Sequence, residues 1–442
     1  MFVNKKVLGV AIAGVLFSAS AAAAVVPVQL GVDDARVYAA EMKAPVDLSA
    51  DANDMIAVAL GYNFSAGEVR YGRFECTSNM TMDNVTVGED SIAHDISLGA
   101  INGEGTSALF FSITGVNAVP TDAINITVDA DNTLEDDGNV SCAFSIYDQP
   151  SQAQAGGSTG RIYTTGFKSF ITRAASFEFK ADPGTITADV EAGTGAYTDF
   201  INGNTLGGLT FGLVDLDGNG AVPLNSDGND ITLADIFSAD TFVTVDGDLG
   251  AATDVNWAGY GVADDQGADS AEFDIGNVGN DGDVTITPDT EGAWLEGDYS
   301  ATLHVDVNAG FEVADVGPVS LGSVVRNGTQ LQAPLVNVPT GWISRLALTN
   351  TGNADRAYTI SVQTEDGVTI DTANTTGTIK ANSTKVIDNL GTVLTKFSTG
   401  AKARATLNIN VAAPDKQIQG QYQLVSPEGS LSNYILTRPG TN

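Results

Sequence analysis

The sequence predicts an all-β fold made of two or three consecutive β-sandwich domains with long loops rich in Asp and Gly. Short runs that alternate apolar and polar residues are frequent, and patterns typical of helices are scarce. The 49 glycines, together with Asn and Asp, supply turns between these runs. With 43% apolar residues, a chain of this length can bury two or three cores. These observations favour stacked sandwiches.

The strands are predicted from the runs that alternate most clearly. They cover residues 55–62, 69–76, 108–114, 123–128, 139–147, 176–180, 241–245, 284–287, 301–307, 345–349, 358–363 and 405–411. Residues 301–309 and 405–413 share Ala, Thr, Leu and Val at matching places, a weak repeat that indicates one strand in each of two sandwiches. Residues 150–160, rich in Gly, Ser, Gln and Ala, are predicted to be a loop or linker.

The first 24 residues have the pattern of a secretory signal peptide. Lys5 and Lys6 form a positive start, residues 7–17 are apolar, and small residues with A-x-A sites occupy 18–24. No later segment reaches the roughly 20 apolar residues that span a bilayer. We therefore expect a mature chain that begins near residue 25, is exported without a transmembrane segment, and resides outside the cell or on its surface.

Cys76 and Cys142 are the two cysteines of the chain, and each lies in a predicted strand. In an oxidising compartment they most simply pair. The enclosed loop of about 65 residues corresponds to about 4 kcal/mol of stabilisation in the chain-entropy description. A reactive thiol is the alternative, but no histidine is near either cysteine in the sequence.

Charge is distributed very unevenly along the chain. Residues 181–325 contain no Lys or Arg and 27 acidic residues, whereas residues 25–180 have 8 basic and 21 acidic, and residues 326–442 have 10 basic and 7 acidic. These three stretches, with net charges of −13, −27 and +3, are our predicted domains: an N-terminal β domain with the disulfide, an acidic β domain and a slightly basic C-terminal sandwich. So uneven a distribution predicts counterions or contact between oppositely charged regions of two copies.

The acidic stretch contains a candidate calcium loop. Asp215, Asp217 and Asn219 occupy positions 1, 3 and 5, and Gly220 occupies position 6, a spacing that resembles the calcium loops of EF-hand and dockerin-like repeats. A degenerate copy follows, and we expect further ligands from it. The candidate metal ligands are Asp215, Asp217, Asn219, Asp227, Asn229, Asp230 and Asp235. Ser226 stands where the bidentate Glu is expected, and turns made by Asp, Asn and Gly are the alternative explanation.

Enzymatic function finds little support in the sequence, and no catalytic residue is predicted. The two histidines, His94 and His304, lie in β-like runs, and the common hydrolase, metalloprotease and nucleotide-binding motifs are absent. A pair of carboxylates for glycoside hydrolysis stays open, because 55 acidic residues always permit one. Nucleic acid is not an expected partner, since a mature net charge of 18 − 55 = −37 repels phosphates.

The C-terminal region resembles an immunoglobulin-like module of exported bacterial surface proteins. The resemblance rests on residues 330–338, 341–352, which include Trp342, and 403–411. Together with the leader and the acidic body rich in Asp, Gly, Thr and Asn, the chain resembles S-layer proteins of Gram-negative bacteria, particularly of marine gammaproteobacteria. The resemblance implies a two-dimensional lattice of this protein over the outer membrane, Ca²⁺ in subunits or at contacts, and attachment to lipopolysaccharide.

We therefore expect a structural protein without enzymatic activity that assembles with itself on the cell surface and depends on calcium. Two other functions fit the same sequence. A secreted adhesin or biofilm-matrix fibre protein would share every feature and differ in the geometry of its assemblies. A secreted hydrolase would require a concave site with carboxylates of perturbed pKa.

Overall fold

The structure is a computed structural model that describes residues 27–50, 55–90, 95–118, 124–191, 193, 195–398 and 402–438. The predicted signal peptide and His94 lie outside these residues. The chain divides into two compact units: unit 1 contains Met1–Ser176 and Asp215–Ile231, and unit 2 contains Phe177–Val214 and Thr232–Asn442. The three predicted domains stay a prediction. Across the described residues, no helix is long and apolar enough to cross a membrane.

Unit 1 is built from short strands and one short helix. Its described elements are β1 (Val28–Gln29), β2 (Arg36–Ala39), β3 (Val46–Asp47), β4 (Ile56–Ala59), β5 (Val69–Cys76), β6 (Met80–Glu89), β7 (Ile96–Leu98), β8 (Ala108–Gly115), β9 (Asn125–Leu134), β10 (Val140–Tyr147), α1 (Pro150–Ala155), β11 (Arg161–Thr164) and β12 (Lys168–Ala174).

These strands form two sheets. One has the order β1-β4-β9-β3 with β6 also paired to β9, and the other has the order β2-β12-β10-β5-β8-β7 with β11 also paired to β10. Burial alternates along β8 and β9, as expected for strands with one face on a core. Strand β10 departs from this alternation, because its last six residues are all buried. One face of β10 is covered by α1, whose Ala153 is buried.

Helix α1 corrects the prediction of a loop at residues 150–160. Pro150 occupies the first turn of the helix, where its missing N–H costs nothing. The side chain of Gln152 accepts a hydrogen bond from the backbone N–H of Gln149 at 3.1 Å. Arg73 on β5 donates to the carbonyl oxygens of Ala153 and Gln154 at 3.0 and 3.1 Å. A helix of six residues has too few positions for its periodicity to be visible in the sequence.

Unit 2 carries the remaining strands, one helical turn and two 3₁₀ turns. Its described elements are β13 (Phe177–Ala188), β14 (Thr205–Leu213), α2 (Leu233–Ile236), β15 (Phe242–Asp246), β16 (Ala252–Trp257), β17 (Gly261–Val262), β18 (Asp265–Gln266), β19 (Ser270–Asp274), β20 (Asn280–Pro288), β21 (Gly297–His304), β22 (Val316–Arg326), β23 (Thr329–Asn337), β24 (Ile343–Asn350), β25 (Arg356–Gln363), β26 (Ile370–Thr372), β27 (Thr376–Ile379), β28 (Ser383–Ile387), a 3₁₀ turn (Leu390–Thr392), β29 (Leu394–Phe397), β30 (Arg404–Val411), a 3₁₀ turn (Asp415–Gln417), β31 (Ile418–Val425) and β32 (Leu431–Ile435).

The acidic part of unit 2 is one sheet with the order β17-β16-β20-β14-β13-β22-β21-β15-β19-β18. The first half of β13 pairs antiparallel with β14, and its second half pairs parallel with β22. Strand β13 therefore connects the strands on the β14 side of the sheet to those on the β22 side. Trp257 on β16 contacts Phe273 on β19, with ring centroids 5.9 Å apart, so residues near the two ends of the strand order share one core.

Glycines permit the close approach of backbones where β13 changes partner. A Cβ on Gly207 would lie 2.0 Å from the carbonyl oxygen of Leu321, and a Cβ on Gly322 would lie 2.1 Å from that of Leu206. Both distances are far below van der Waals contact, so side chains are excluded from these positions. The corner of the sheet is therefore specified by glycine.

Residues 329–438 of unit 2 form a β-sandwich. Four-stranded sheets with the orders β23-β30-β25-β27 and β28-β24-β31-β32 enclose one apolar core that includes Leu346, Ile360, Leu407 and Tyr422. Strands β26 and β29 make a separate two-stranded sheet. The structure thus confirms the predicted all-β class with β-sandwich domains.

Candidate calcium loop and the joint in unit 2

The candidate calcium loop belongs to unit 1 and lies there beside β2. Residues 215–231 are assigned to unit 1, although β14 before them and α2 after them belong to unit 2. Leu224 attaches the loop, because its N–H donates to the carbonyl of Val37 at 2.8 Å and its carbonyl accepts from the N–H of Ala39 at 2.9 Å. Leu224 thus forms a parallel bridge beside β2.

Asp215 organises the first half of the loop. Its carboxylate accepts hydrogen bonds from the backbone N–H groups of Asp217, Gly218 and Gly220 at 3.2, 2.8 and 2.9 Å. Gly218 and Gly220 have φ angles of +74° and +97°, which other residues rarely adopt. The glycine at position 6 of the motif is therefore required by the tight fold of the loop.

Asp217 makes the second set of contacts. Its carboxylate accepts from the backbone N–H groups of Asn219 and Ala221 at 2.8 and 3.3 Å. These hydrogen bonds, first that from Asn219, hold the pKa of the Asp217 carboxyl below its usual range. Asp217 is therefore a persistent negative charge at the surface, while the side-chain amide of Asn219 points back to the carbonyl and carboxylate of Asp217 at 3.3 and 3.4 Å.

The degenerate copy of the motif forms a second turn. The side-chain oxygen of Asn225 accepts from the N–H groups of Asp227 and Asn229, both at 3.1 Å, and Gly228 has a φ of +73°. Asp227, Asn229 and Asp230 are exposed. The first half of the loop thus has two side chains that accept from its own turn, Asp215 and Asp217, and the second half has one, Asn225.

Asp235 differs from the other candidate ligands. It lies in the one-turn helix α2 of unit 2, where its carboxylate accepts from the backbone N–H and the hydroxyl of Thr232 at 2.8 and 2.9 Å. The structure therefore gives Asp235 a capping role. The structure brings Asp215, Asp217 and Asn219 together in one turn, and it brings Asp227 and Asn229 together in the next turn.

The donor chemistry of the loop fits a hard cation, because every candidate ligand offers oxygen. A carboxylate has about four lone-pair sites, and the hydrogen bonds at Asp215 and Asp217 leave some of them available. Over the part of the chain that the structure describes, however, no three His, Cys, Asp or Glu side chains converge on a point where a metal would bind. The motif is thus folded as a loop in the structure, with its carboxylates directed at backbone amides.

A second feature, which we call the joint, connects the acidic sheet to the C-terminal sandwich through Asn327 and Gly328. The guanidinium carbon of Arg326 lies 4.5 Å from the ring centroid of Tyr197, and its Nε donates to the carbonyl of Trp294 at 2.5 Å. Trp294 is buried, and Tyr197 has a positive φ of 66°, a conformation that surrounding contacts must hold. Burial raises the pKa of the Tyr197 hydroxyl.

Asn327 and Arg356 complete the joint. The side chain of Asn327 donates to the carboxylate of Asp189 and accepts from the N–H of Val190, both at 2.8 Å. Arg356 on β25 pairs with Glu191 at 3.1 Å, and its side chain is 11% exposed. A two-residue connection with so many contacts fixes the two parts of unit 2 against each other.

The joint encloses a cavity of about 380 Å³, lined by Tyr197, Glu296, Arg326 and Thr359 among others. No residue of this region was predicted as a site from the sequence. A signal was present, since Arg326 is the first basic residue after the 145 residues without Lys or Arg.

His304 lies on the sheet of unit 2. Its Nδ1 is 2.9 Å from the carboxylate of Asp315, its Nε2 is 3.2 Å from the hydroxyl of Thr244, and its ring stacks on Phe242 at 4.7 Å. The N–H of Val305 and then His304 hold the pKa of the Asp315 carboxyl below its usual range. These contacts join the segment before β22 to β15 and β21.

The predicted cysteine pair is joined in the structure. Cys76 on β5 and Cys142 on β10 are directly opposite residues of two paired strands, with Cα atoms 4.0 Å apart. The bond therefore connects adjacent central strands of one sheet in unit 1.

Comparisons with known proteins give little further guidance. No family model matches the chain, and no curated protein matches it. Among solved structures, the C-terminal domain of the AgI/II polypeptide BspA of Streptococcus agalactiae is 12% identical, with 64% of this chain and 90% of that chain covered and a TM-score of 0.20. The pilus backbone RrgB of Streptococcus pneumoniae is 11% identical, with 93% and 88% covered and a TM-score of 0.16. InvD of Yersinia pseudotuberculosis is 10% identical, with 87% and 98% covered and a TM-score of 0.16. Scores this low carry no argument about this protein.

Proposed function

We propose that the protein is a structural, non-enzymatic component of the bacterial cell surface that assembles with itself into a calcium-dependent S-layer lattice on the outer membrane. The carrying observation is the charge distribution. Residues 181–325 have a net charge of −27 and residues 326–442 have +3. Contact between the C-terminal sandwich of one copy and the acidic sheet of the next lowers the repulsion among acidic groups.

The joint supports this proposal mechanically. A lattice requires subunits whose contact surfaces keep fixed directions, because a contact between different surfaces propagates regularly only when the rotation between copies is constant. The contacts of Arg326 with Tyr197 and Trp294, and of Asn327 with Asp189, hold the acidic sheet and the C-terminal sandwich as one body.

Calcium enters the proposal through the loop at Asp215. Its oxygen donors suit Ca²⁺, and the charge around it favours any cation. Asp215, Asp217 and Asn219, which share one turn, would hold the ion, and Asp227 of the next turn is a further candidate ligand. Bound calcium would supply positive charge where acidic surfaces of two copies approach. Attachment to lipopolysaccharide, in which divalent cations bridge phosphate groups and protein carboxylates, is part of the same proposal.

Electron microscopy of the purified mature chain tests the proposal. In millimolar calcium and moderate salt, we expect ordered sheets, and excess chelator should dissolve them. Fibres in place of sheets would favour an adhesin or matrix protein, the other function consistent with the sequence. Assemblies that persist unchanged in chelator would contradict the calcium part.

A further inference from the structure

The last strand of the C-terminal sandwich has an open edge. Strand β32 ends the sheet order β28-β24-β31-β32 and pairs antiparallel with β31, from Gln421 opposite Ile435 to Val425 opposite Leu431. All five of its residues are exposed, including Leu431 at 56%, Tyr434 at 58% and Ile435 at 82%. An edge strand this apolar is unusual, because natural proteins generally protect such edges with charge, proline or a covering segment.

The direction of the backbone groups on β32 follows from the hydrogen bonds at its two ends. The N–H of Leu436 donates to the carbonyl of Gly420 at 2.9 Å, and the N–H of Ser426 donates to that of Ser430 at 2.9 Å. Since inward and outward residues alternate in an antiparallel ladder, Ser432 and Tyr434 bond to β31. Leu431, Asn433 and Ile435 therefore direct their N–H and C=O groups to the open edge.

The same edge already pairs with a strand at one position. Thr437, the next outward residue, exchanges two backbone hydrogen bonds with Gln332 of β23, at 2.7 and 3.1 Å. On the other side of this bridge, along Leu431–Ile435, the outer edge of β32 has no partner strand among the residues that the structure describes. An occupant must therefore be an extended segment of matching length.

The sequence of β32 fits a second copy of itself. If two β32 strands lie antiparallel about a two-fold axis at Asn433, each Leu431 is opposite Ile435 of the other copy, and the two Asn433 residues face each other. All three outward residues then pair with outward residues, giving six backbone hydrogen bonds. A one-residue shift would oppose outward to inward residues, and a two-residue shift would leave Ile435 of each copy unpaired, with four backbone hydrogen bonds in place of six.

Charge agrees with this arrangement. The segment that would meet its own copy, residues 326–442, has a net charge of only +3, whereas residues 181–325 have −27. Contact between identical surfaces is thus far less unfavourable here than on the acidic sheet.

Apolar side chains continue across the axis on one face of the sheet. Ile343, Val425 and Leu431 form one cross-strand row, and Val386, Ala347, Gln421 and Ile435 form another. Ile343 and Val386 are 46% and 41% exposed. In the paired copies, Leu431 in the first row of one copy would lie beside Ile435 in the second row of the other copy. Cross-strand apolar pairs of this kind favour the association further.

From these observations we infer that β32 pairs with β32 of a second copy about a two-fold axis at Asn433, joining two four-stranded sheets into one sheet of eight strands. The inference deepens the proposed self-assembly and rests on it, because it identifies one of the contacts through which copies meet.

Cross-linking of Asn433→Cys tests the register. Both native cysteines are consumed in the disulfide between Cys76 and Cys142, so the new thiol reacts alone. Residues paired by two hydrogen bonds have Cα atoms about 5.5 Å apart, within the range of a disulfide. We expect most of N433C to form a reducible dimer on mild oxidation. The matched control is Lys385→Cys on β28, the opposite edge of the same sheet, which should stay monomeric. Equal cross-linking of the two variants would overturn the inference.

Asn433→Pro tests the contact without a cross-link. Proline removes an outward N–H that makes no bond within the copy, so the fold should be retained, as near-ultraviolet circular dichroism would show. We expect sedimentation to show dimerisation weakened at least tenfold for Asn433→Pro and for Ile435→Lys. The control Val262→Lys, at an exposed apolar position on β17 of the acidic sheet, should leave dimerisation unchanged. If wild-type protein assembles in calcium and N433P assembles identically, the inference is wrong and the proposed function stands. If wild-type protein forms no lattice but N433C still cross-links, the contact is supported and the lattice is not.

Discussion

Arg326 lies over the ring of Tyr197, with the guanidinium carbon 4.5 Å from the ring centroid. The pair is located where the acidic sheet ends and the C-terminal sandwich begins. The positive charge that closes 145 residues without Lys or Arg is therefore used to hold two parts of unit 2 together. The rigidity of the subunit depends on this contact.

Replacement of Arg326 by alanine should destabilise unit 2. The variant loses the contact with the Tyr197 ring and the hydrogen bond to the carbonyl of Trp294, which we expect to cost about 2 kcal/mol in free energy of unfolding. Urea denaturation measures the change. Arg345→Ala is the control, because the pair of Arg345 with exposed Asp388 is worth less than about 1 kcal/mol. Equal losses in both variants would argue against a special role for Arg326.

Gly207→Ala should disturb the corner of the acidic sheet. The added Cβ would meet the carbonyl oxygen of Leu321 at 2.0 Å and that of Asp182 at 2.8 Å, and both are backbone atoms that cannot turn aside. We expect a loss of about 3 kcal/mol in free energy of unfolding. Gly212→Ala on the same strand is the matched control, since its Cβ would have no neighbour within 4 Å. A thermal unfolding midpoint that falls equally in both variants would contradict this explanation.

Removal of the disulfide should lower the stability of unit 1. The bond closes a loop with a sequence separation of 66 residues, for which we expect a loss of about 4 kcal/mol in the variant with both Cys76 and Cys142 replaced by alanine. The same shift should follow reduction of the wild-type protein, and the reductant should have no effect on the double variant. Calorimetry of both proteins with and without reductant provides the measurement.

Stability should fall in acid partly through Asp315. The pKa of its carboxyl is held below the ordinary 3.8 in the folded state by the N–H of Val305 and by His304. Its contribution is therefore complete well above pH 3.8 and is lost as pH falls through the lower folded-state pKa. Asp315→Asn should be less stable than wild type at pH 6, with a difference that shrinks toward pH 2.5. A difference between Asp315→Asn and wild type that stays constant from pH 6 to pH 2.5 would contradict this explanation.

Much of the fold could be predicted because strand periodicity is local. The predicted strands at residues 69–76 and 405–411 coincide closely with β5 and β30, and their buried residues alternate as the sequence implies. The parallel pairing of β13 with β22 joins residues about 140 positions apart, and no local pattern encodes it. Only the clash at Gly207 and Gly322 reveals why those glycines are needed.

The candidate site was predictable in part. The spacing of Asp215, Asp217 and Gly220 indicated a tight loop, and the structure forms one, with positive φ at Gly220. The sequence could not show that Leu224 attaches this loop to β2, because that bridge depends on the packing of unit 1. It also grouped Asp235 with the loop, whereas Asp235 caps a helix through Thr232. Calcium binding by the loop remains a prediction.

The most direct test of the account is sedimentation of the mature chain in calcium and in chelator, for wild type and for two charge-matched double variants. We predict that wild type and Asp281→Asn/Asp283→Asn form large assemblies in millimolar calcium that dissolve in chelator, whereas Asp215→Asn/Asp217→Asn forms no large assembly in either solution. Assemblies that form identically in all three proteins, with or without calcium, would contradict the account.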